Sequence, residues 1–246
     1  MSISKKQHIL SLQAGGTSEE AATPPPRSLD IRKIKYRGYK PEGNRHYRFP
    51  NGFPEELWVQ GDYRLSDSKS IGIVGSRSCS DWGAQLASKL SSALSQSGFC
   101  IVSGLALGID THAHRGALEA GGRTLAVLPT GLNHIRPAQN KALYREIIKS
   151  GAGLSLFDPA FRGSSSRQNY YQRNVIVAGL SRVLIVVEAS AISGSLSAAR
   201  SALRLGRPVG LPKTLLESQA WAQDFIQKPG VFVINSIADI LEKAEA

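Results

Sequence analysis

The chain has 246 residues, enough for one α/β domain with a tail and short for two full domains. Its 30 Lys and Arg against 19 Asp and Glu leave a formal net charge of +11, a surplus that suits a polyanion such as DNA, RNA or an anionic surface. Nothing in it reads as a bilayer span, a secretory signal or a disulfide framework, and Cys79 and Cys100 match no metal spacing, so a cytoplasmic protein without a membrane partner is expected.

Residues 1–30 are rich in Ser, Thr, Ala and Gly, include Pro24, Pro25 and Pro26, and read as unstructured. Residues 31–48 carry seven Lys and Arg against one acid, Glu42, with Tyr36, Tyr39 and Tyr47 interleaved. Cations hold phosphates and rings offer stacking faces; a solvated arm docked on the domain explains the same run equally well. The expected organisation is a disordered or extended basic arm over 1–45 and one domain over 46–246. Within the domain, short apolar runs predict strands at Ser70–Val74, Phe99–Val102, Thr124–Leu128, Gly153–Phe157, Val183–Val187, Pro208–Leu211 and Val231–Ile234. Helices are expected between them, at Trp82–Gln96, Thr111–Ala120, Asn140–Ser150, Leu196–Leu205 and Ser218–Gln227, and a long polar loop at Asp158–Gln172. Continuous apolar strands alternating with helices define an α/β fold, a mostly parallel sheet with helices on both faces.

Ligands of such sheets bind beyond the carboxyl ends of the strands, so the strand-end loops are the places to look. The first is Gly75-Ser76-Arg77. Gly72 and Gly75 have the wrong spacing for a dinucleotide fingerprint; Gly75 permits a tight turn, Ser76 is expected to cap the next helix, and Arg77 can fork onto a phosphate. The second loop holds Gly104 and Gly108, with Asp110 as an expected helix cap. His112 and His114 point apart on a helix and cannot share a metal ion. The third gathers Arg136, Lys141 and Arg145 near a helix start; Asn140 precedes them, and Tyr144 is either a base-stacking ring or a core ring. The fourth adds Arg162, Arg167, Arg173 and Asn174. In the fifth, Gly194-Ser195 opens a helix as an anion cup, and Glu188 reads as a cap or an arginine partner rather than a general base. No G-x-S-x-G occurs. No catalytic residue, metal or cofactor is expected.

Several segments together resemble the DprA/Smf DNA-processing family: YRFP from Tyr47, LWVQG from Leu57, IGIVGSR from Ile71, IVSGLALGIDTHAHRGALEAGGRTLAVLPTGLNHIRPAQNKAL, and QRNVIVAGLSRVLIVVEASAISGSLSAARSALRLGRPVGLP ending at Pro212. The resemblance implies an extended Rossmann fold, single-stranded DNA binding, a homodimer and partnership with a RecA-type recombinase in natural transformation, without catalytic activity. It gives the DNA-binding role to Gly75, Ser76 and Arg77 and a further contact to Lys141. Departures from the family pattern include Arg136 where a tyrosine is usual, Leu156 after Ser155 in place of a glutamate, and Val175 as the third residue of an Arg-Asn-Arg. The alternative class is a nucleotide-binding or nucleotide-hydrolysing protein of the LOG type, against which stands the lack of an acid on the helix opened by Gly194-Ser195. A third reading places RNA binding or scaffolding on the basic arm.

Overall fold

The computed structural model describes residues 27–30, 54, 56–162 and 166–246. Most of the arm expected over 1–45 therefore lies outside the described residues. Within it Arg27–Asp30, at the end of the stretch 1–30 that reads as unstructured, is a strand, β1, paired antiparallel with β2, Glu56–Gly61.

From there strands and helices alternate: β3 (Ser70–Val74), α1 (Asp81–Gln96), β4 (Cys100–Ser103), α2 (Ile109–Glu119), β5 (Thr124–Leu128), α3 (Lys141–Ser150), β6 (Ala152–Ser155), α4 (Arg167–Leu180), β7 (Val183–Val186), α5 (Gly194–Arg204), β8 (Val209–Pro212), α6 (Lys213–Ser218), α7 (Ala220–Phe225), β9 (Val231–Ile234) and α8 (Ile237–Glu245). Among the described residues they build one nine-stranded sheet in the order β1-β2-β6-β5-β4-β3-β7-β8-β9. Only the pairings of β2, with β1 and with β6, are antiparallel.

The apolar strands read as they do because both faces are covered. In β7, Leu184 and Val186 join a core with α4 and α5, while Val183 and Ile185 join one with α1 and α2. Neither side of the strand meets water, so a polar residue is excluded from both.

Besides β1 and β2, which no expected strand covers, three regions differ from the sequence expectation. The predicted loop over Asp158–Gln172 gives way to α4 at Arg167, where the Ser166 side chain accepts the Asn169 N–H at 3.2 Å. Its helical period is hidden because the first half is polar and sits at the sheet edge, whereas Val175–Leu180 is buried all round. The helix expected over Ser218–Gln227 is displaced and broken in two by extended backbone at Gln219. Finally, α8 escaped notice although Ser236 and Asp239 form a capping box: the Asp239 carboxylate accepts from the N–H groups of Asn235 and Ser236, both at 2.8 Å, and those bonds lower its pKa.

The chain order places a crevice at the sheet edge. From β3 the strands run outward through β4, β5 and β6; α4 then carries the chain back across the sheet to β7, on the other side of β3. The order reverses between β3 and β7, and at such a reversal the loops diverge and leave a gap at the carboxyl edge.

Candidate nucleic-acid interface

The gap is a cleft of about 340 Å³. The β3 turn supplies Gly75, Ser76 and Arg77, α4 supplies Tyr170, Arg173 and Asn174, and the start of α5 supplies Ser193, Gly194 and Ser195. Seven of the residues singled out in the sequence thus meet: Gly75, Ser76, Arg77, Arg173, Asn174, Gly194 and Ser195.

Hydrogen bonds fix its walls. Ser195 Oγ donates to the Gly75 carbonyl at 2.8 Å, and Asn174 Nδ2 donates to the Gly194 carbonyl at 3.1 Å. The first bond joins the α5 start to the β3 turn, the second joins it to α4. The Ser76 N–H donates to the Glu188 carbonyl at 2.7 Å, and the Ile109 N–H donates back to the Ser76 carbonyl at 3.1 Å. Ser76 is not the helix cap that was expected. Its hydroxyl accepts from Ser78 within the turn, and Ser80 caps α1 by accepting from Gly83. Glu188 fulfils the capping half of its expectation: its carboxylate accepts from the Ser80 N–H at 3.1 Å and from the Ser80 hydroxyl at 2.6 Å.

The two arginines of the cleft differ. Arg173 is buried, and its Nη1 lies 3.3 Å from Oδ2 of the equally buried Asp110. The same oxygen accepts the N–H groups of Gly104 and Ala106, both at 3.2 Å. Asp110 therefore organises the β4 loop instead of capping α2. Gly104 is glycine because the guanidinium needs its space: a Cβ there would sit 0.9 Å from Arg173 Nη1. Gly108 has φ +72°, and its missing side chain admits the Ser76 and Arg77 carbonyls. Arg77, by contrast, is exposed, makes no ion pair among the described residues, and lies 5.0 Å from the Tyr170 ring centroid. Its charge faces the open cleft with a π-face beside it.

The remaining predicted residues lie over β5 and α3, two strand spacings or roughly 10 Å along the edge. Arg136 and Lys141 are exposed there. Asn140 is buried and its amide is consumed internally, donating to the Leu105 and Ala106 carbonyls and to Thr111 Oγ1. It ties the β5 loop to the β4 loop rather than reaching outward. Tyr144 is the core ring of its two readings: it is 3% exposed, its hydroxyl donates to Gln60 at 3.0 Å, and burial pushes its phenol up. The sequence reading missed Tyr170, whose helix it took for a loop.

His114 is fully buried against Thr124 Oγ1 at 2.7 Å. Burial, with a contribution from the Arg173 charge, lowers its pKa to about 3. Among the described residues no cluster of His, Cys, Asp or Glu is suited to a metal ion, and no helix is long and apolar enough to cross a membrane.

A doubly wound sheet with a serine- and arginine-lined cleft at its reversal point defines a Rossmann-like α/β protein. The chain belongs to the DNA recombination-mediator protein A family, whose model matches residues 40–245. It is 45% identical to protein Smf of Synechocystis over 160 residues, covering 63% of this chain and 40% of that one. The X-ray structure of DNA processing protein A from Streptococcus pneumoniae superposes with a TM-score of 0.70 at 32% identity, covering 90% of this chain and 74% of that one. DNA processing protein A from Helicobacter pylori, solved for its single-stranded DNA binding mode, gives 0.69 at 29% identity, with 77% and 86% covered. The chain spans 40 to 64% of the length of curated relatives from Synechocystis, Bacillus subtilis and Escherichia coli.

Proposed function

We propose that this chain binds single-stranded DNA in the cleft between β3, α4 and α5 and acts as a non-enzymatic accessory in DNA processing and recombination of the natural-transformation type. The observation that carries the reading is Arg77, an exposed guanidinium on a glycine-serine turn, facing a cleft with Tyr170 at its side. A cation takes a phosphate and a ring takes a base, the combination that single strands require. Gly75, Ser76, Arg77, Asn174, Gly194 and Ser195 form the contact surface, and Arg136 and Lys141 extend it along the edge. Gly104, Gly108, Asn140 and Arg173 shape the loops from behind. The engagement of Glu188 with Ser80 supports binding over hydrolysis. By family membership the partners are a second copy of the chain and a RecA-type recombinase, in the cytoplasm.

The test is a salt-titrated competition among single-stranded DNA, duplex DNA and RNA. Single-stranded DNA is expected to win, with affinity falling as salt rises. Arg77→Ala weakens binding to any sequence alike, and losing one phosphate contact flattens the log–log salt slope by about 0.7. Equal binding of oligo-dT by wild type and variant at low salt refutes the assignment. Thermal stabilisation by mononucleotides but not by oligonucleotides indicates a nucleotide-binding protein instead.

A further inference from the structure

Beside the phosphate-facing cleft lies a second, of about 500 Å³, lined among others by Trp82, Glu188, Thr214 and Gln219. Ser76 and Ser190 line both clefts and form their common wall. The second has the opposite chemistry. Glu188 is fixed in its wall by Ser80, and its carboxylate repels a phosphodiester. Trp82, also in that first turn, keeps 44% of its surface open, large for an indole that serves only packing. Hydroxyl and amide groups from Ser78, Ser218 and Gln219 rim the space.

We propose that this second cleft is a nucleobase subsite, with Trp82 as its stacking platform and the polar rim meeting the edge of the base. The assignment rests on the proposed DNA binding and adds to it a residue and a ligand group. A base is planar and uncharged and carries N–H donors, so it tolerates Glu188 where a phosphate does not. The shared wall puts the two clefts within the reach of one nucleotide unit, whose phosphate faces Arg77 while its base, or its neighbour's, turns onto the indole. Stacking of this kind accepts any base, because each has a π-face.

The experiment is a set of fluorescence-anisotropy titrations with labelled oligo-dT and with a strand of equal length made of abasic deoxyribose phosphates. Wild type, Trp82→Ala, Trp82→Phe and Arg77→Ala are compared after thermal melts establish that each is folded. Trp82→Ala is expected to weaken oligo-dT binding roughly tenfold and to leave the abasic strand unaffected, with Trp82→Phe keeping most of the affinity. Arg77→Ala weakens both strands. If Trp82→Ala matches wild type on oligo-dT while Arg77→Ala does not, the subsite is wrong and the DNA-binding reading survives. Equal losses on both strands also overturn it, since the contact is then not to a base. Absence of any binding by wild type overturns both. Quenching of tryptophan fluorescence by oligo-dT, present in wild type and reduced in Trp82→Phe, reads the same contact without relying on the alanine variant; quenching unchanged in Trp82→Phe contradicts the proposal.

Discussion

Replacing Gly104 with alanine adds one methyl group at the point where the Arg173 guanidinium lies. The new Cβ would stand 0.9 Å from Nη1 and 2.1 Å from Cζ, so the guanidinium has to leave. Its departure breaks the pair with Asp110, in which the side chains are 7% and 5% exposed. Breaking a buried pair costs about 3–5 kcal/mol when one charge is left alone. Here Asp110 keeps the Gly104 and Ala106 amides, which puts the cost at the lower end. Replacing a glycine also removes freedom from the unfolded chain and returns about 0.4–1 kcal/mol. The expected net loss is about 2–3 kcal/mol, read from urea unfolding followed by circular dichroism. The decisive comparison is a double-mutant cycle. In an Arg173→Ala background the space is already empty, and Gly104→Ala should cost less than about 0.5 kcal/mol, giving a coupling near 2 kcal/mol. If Gly104→Ala costs the same in both backgrounds, the guanidinium is not what requires a glycine at this position.

Three other outcomes follow from the same packing. His114 stays neutral when folded down to about pH 3 but takes a proton near its ordinary 6.5 when unfolded, so the unfolded chain holds the extra proton between those values. Its contribution to stability is whole above pH 6.5 and is lost as pH falls, by about 1.4 kcal/mol per unit and thus about 2 kcal/mol at pH 5. Urea melts at pH 7 and pH 5 check this, and His114→Gln should flatten the difference. Tyr144→Phe should cost about 1 kcal/mol in urea unfolding for the lost bond to Gln60 and leave oligo-dT affinity unchanged; a large drop in affinity would mean that the hydroxyl reaches the DNA, which its burial against Gln60 denies. Asn140→Ala removes donations to the Leu105 and Ala106 carbonyls of the β4 loop and to Thr111 of α2 and should cost about 2 kcal/mol in urea unfolding; a cost below about 0.5 kcal/mol would show that the amide does not hold that loop.

The strands of the central sheet were legible because burial on both faces favours continuous apolar runs, broken only by hydroxyl residues such as Ser70 and Thr124 that donate to main-chain carbonyls. Ser70–Val74, Thr124–Leu128 and Val231–Ile234 have the same bounds in the structure as in the sequence reading. The Gly75-Ser76-Arg77 turn was visible for a related reason, since a strand must end in a turn and a cation there is conspicuous. Helix α4 was not legible. Its polar half shows no apolar period; the Ser166 cap is local, but the bonds that seat this half, Arg173 to Asp110 and Asn174 to the Gly194 carbonyl, are tertiary. With α4 went Tyr170, the ring beside Arg77. Two residues of the same type, Arg77 and Arg173, both read as phosphate contacts along the chain. The fold separates them by burial: Asp110 consumes one charge, and solvent leaves the other free. The sequence by itself determined that loops rich in glycine, serine and arginine would stand at the strand ends. Which of them meet was decided by the reversal of strand order between β3 and β7, because pairing across a sheet joins segments more than a hundred residues apart and no local pattern encodes it.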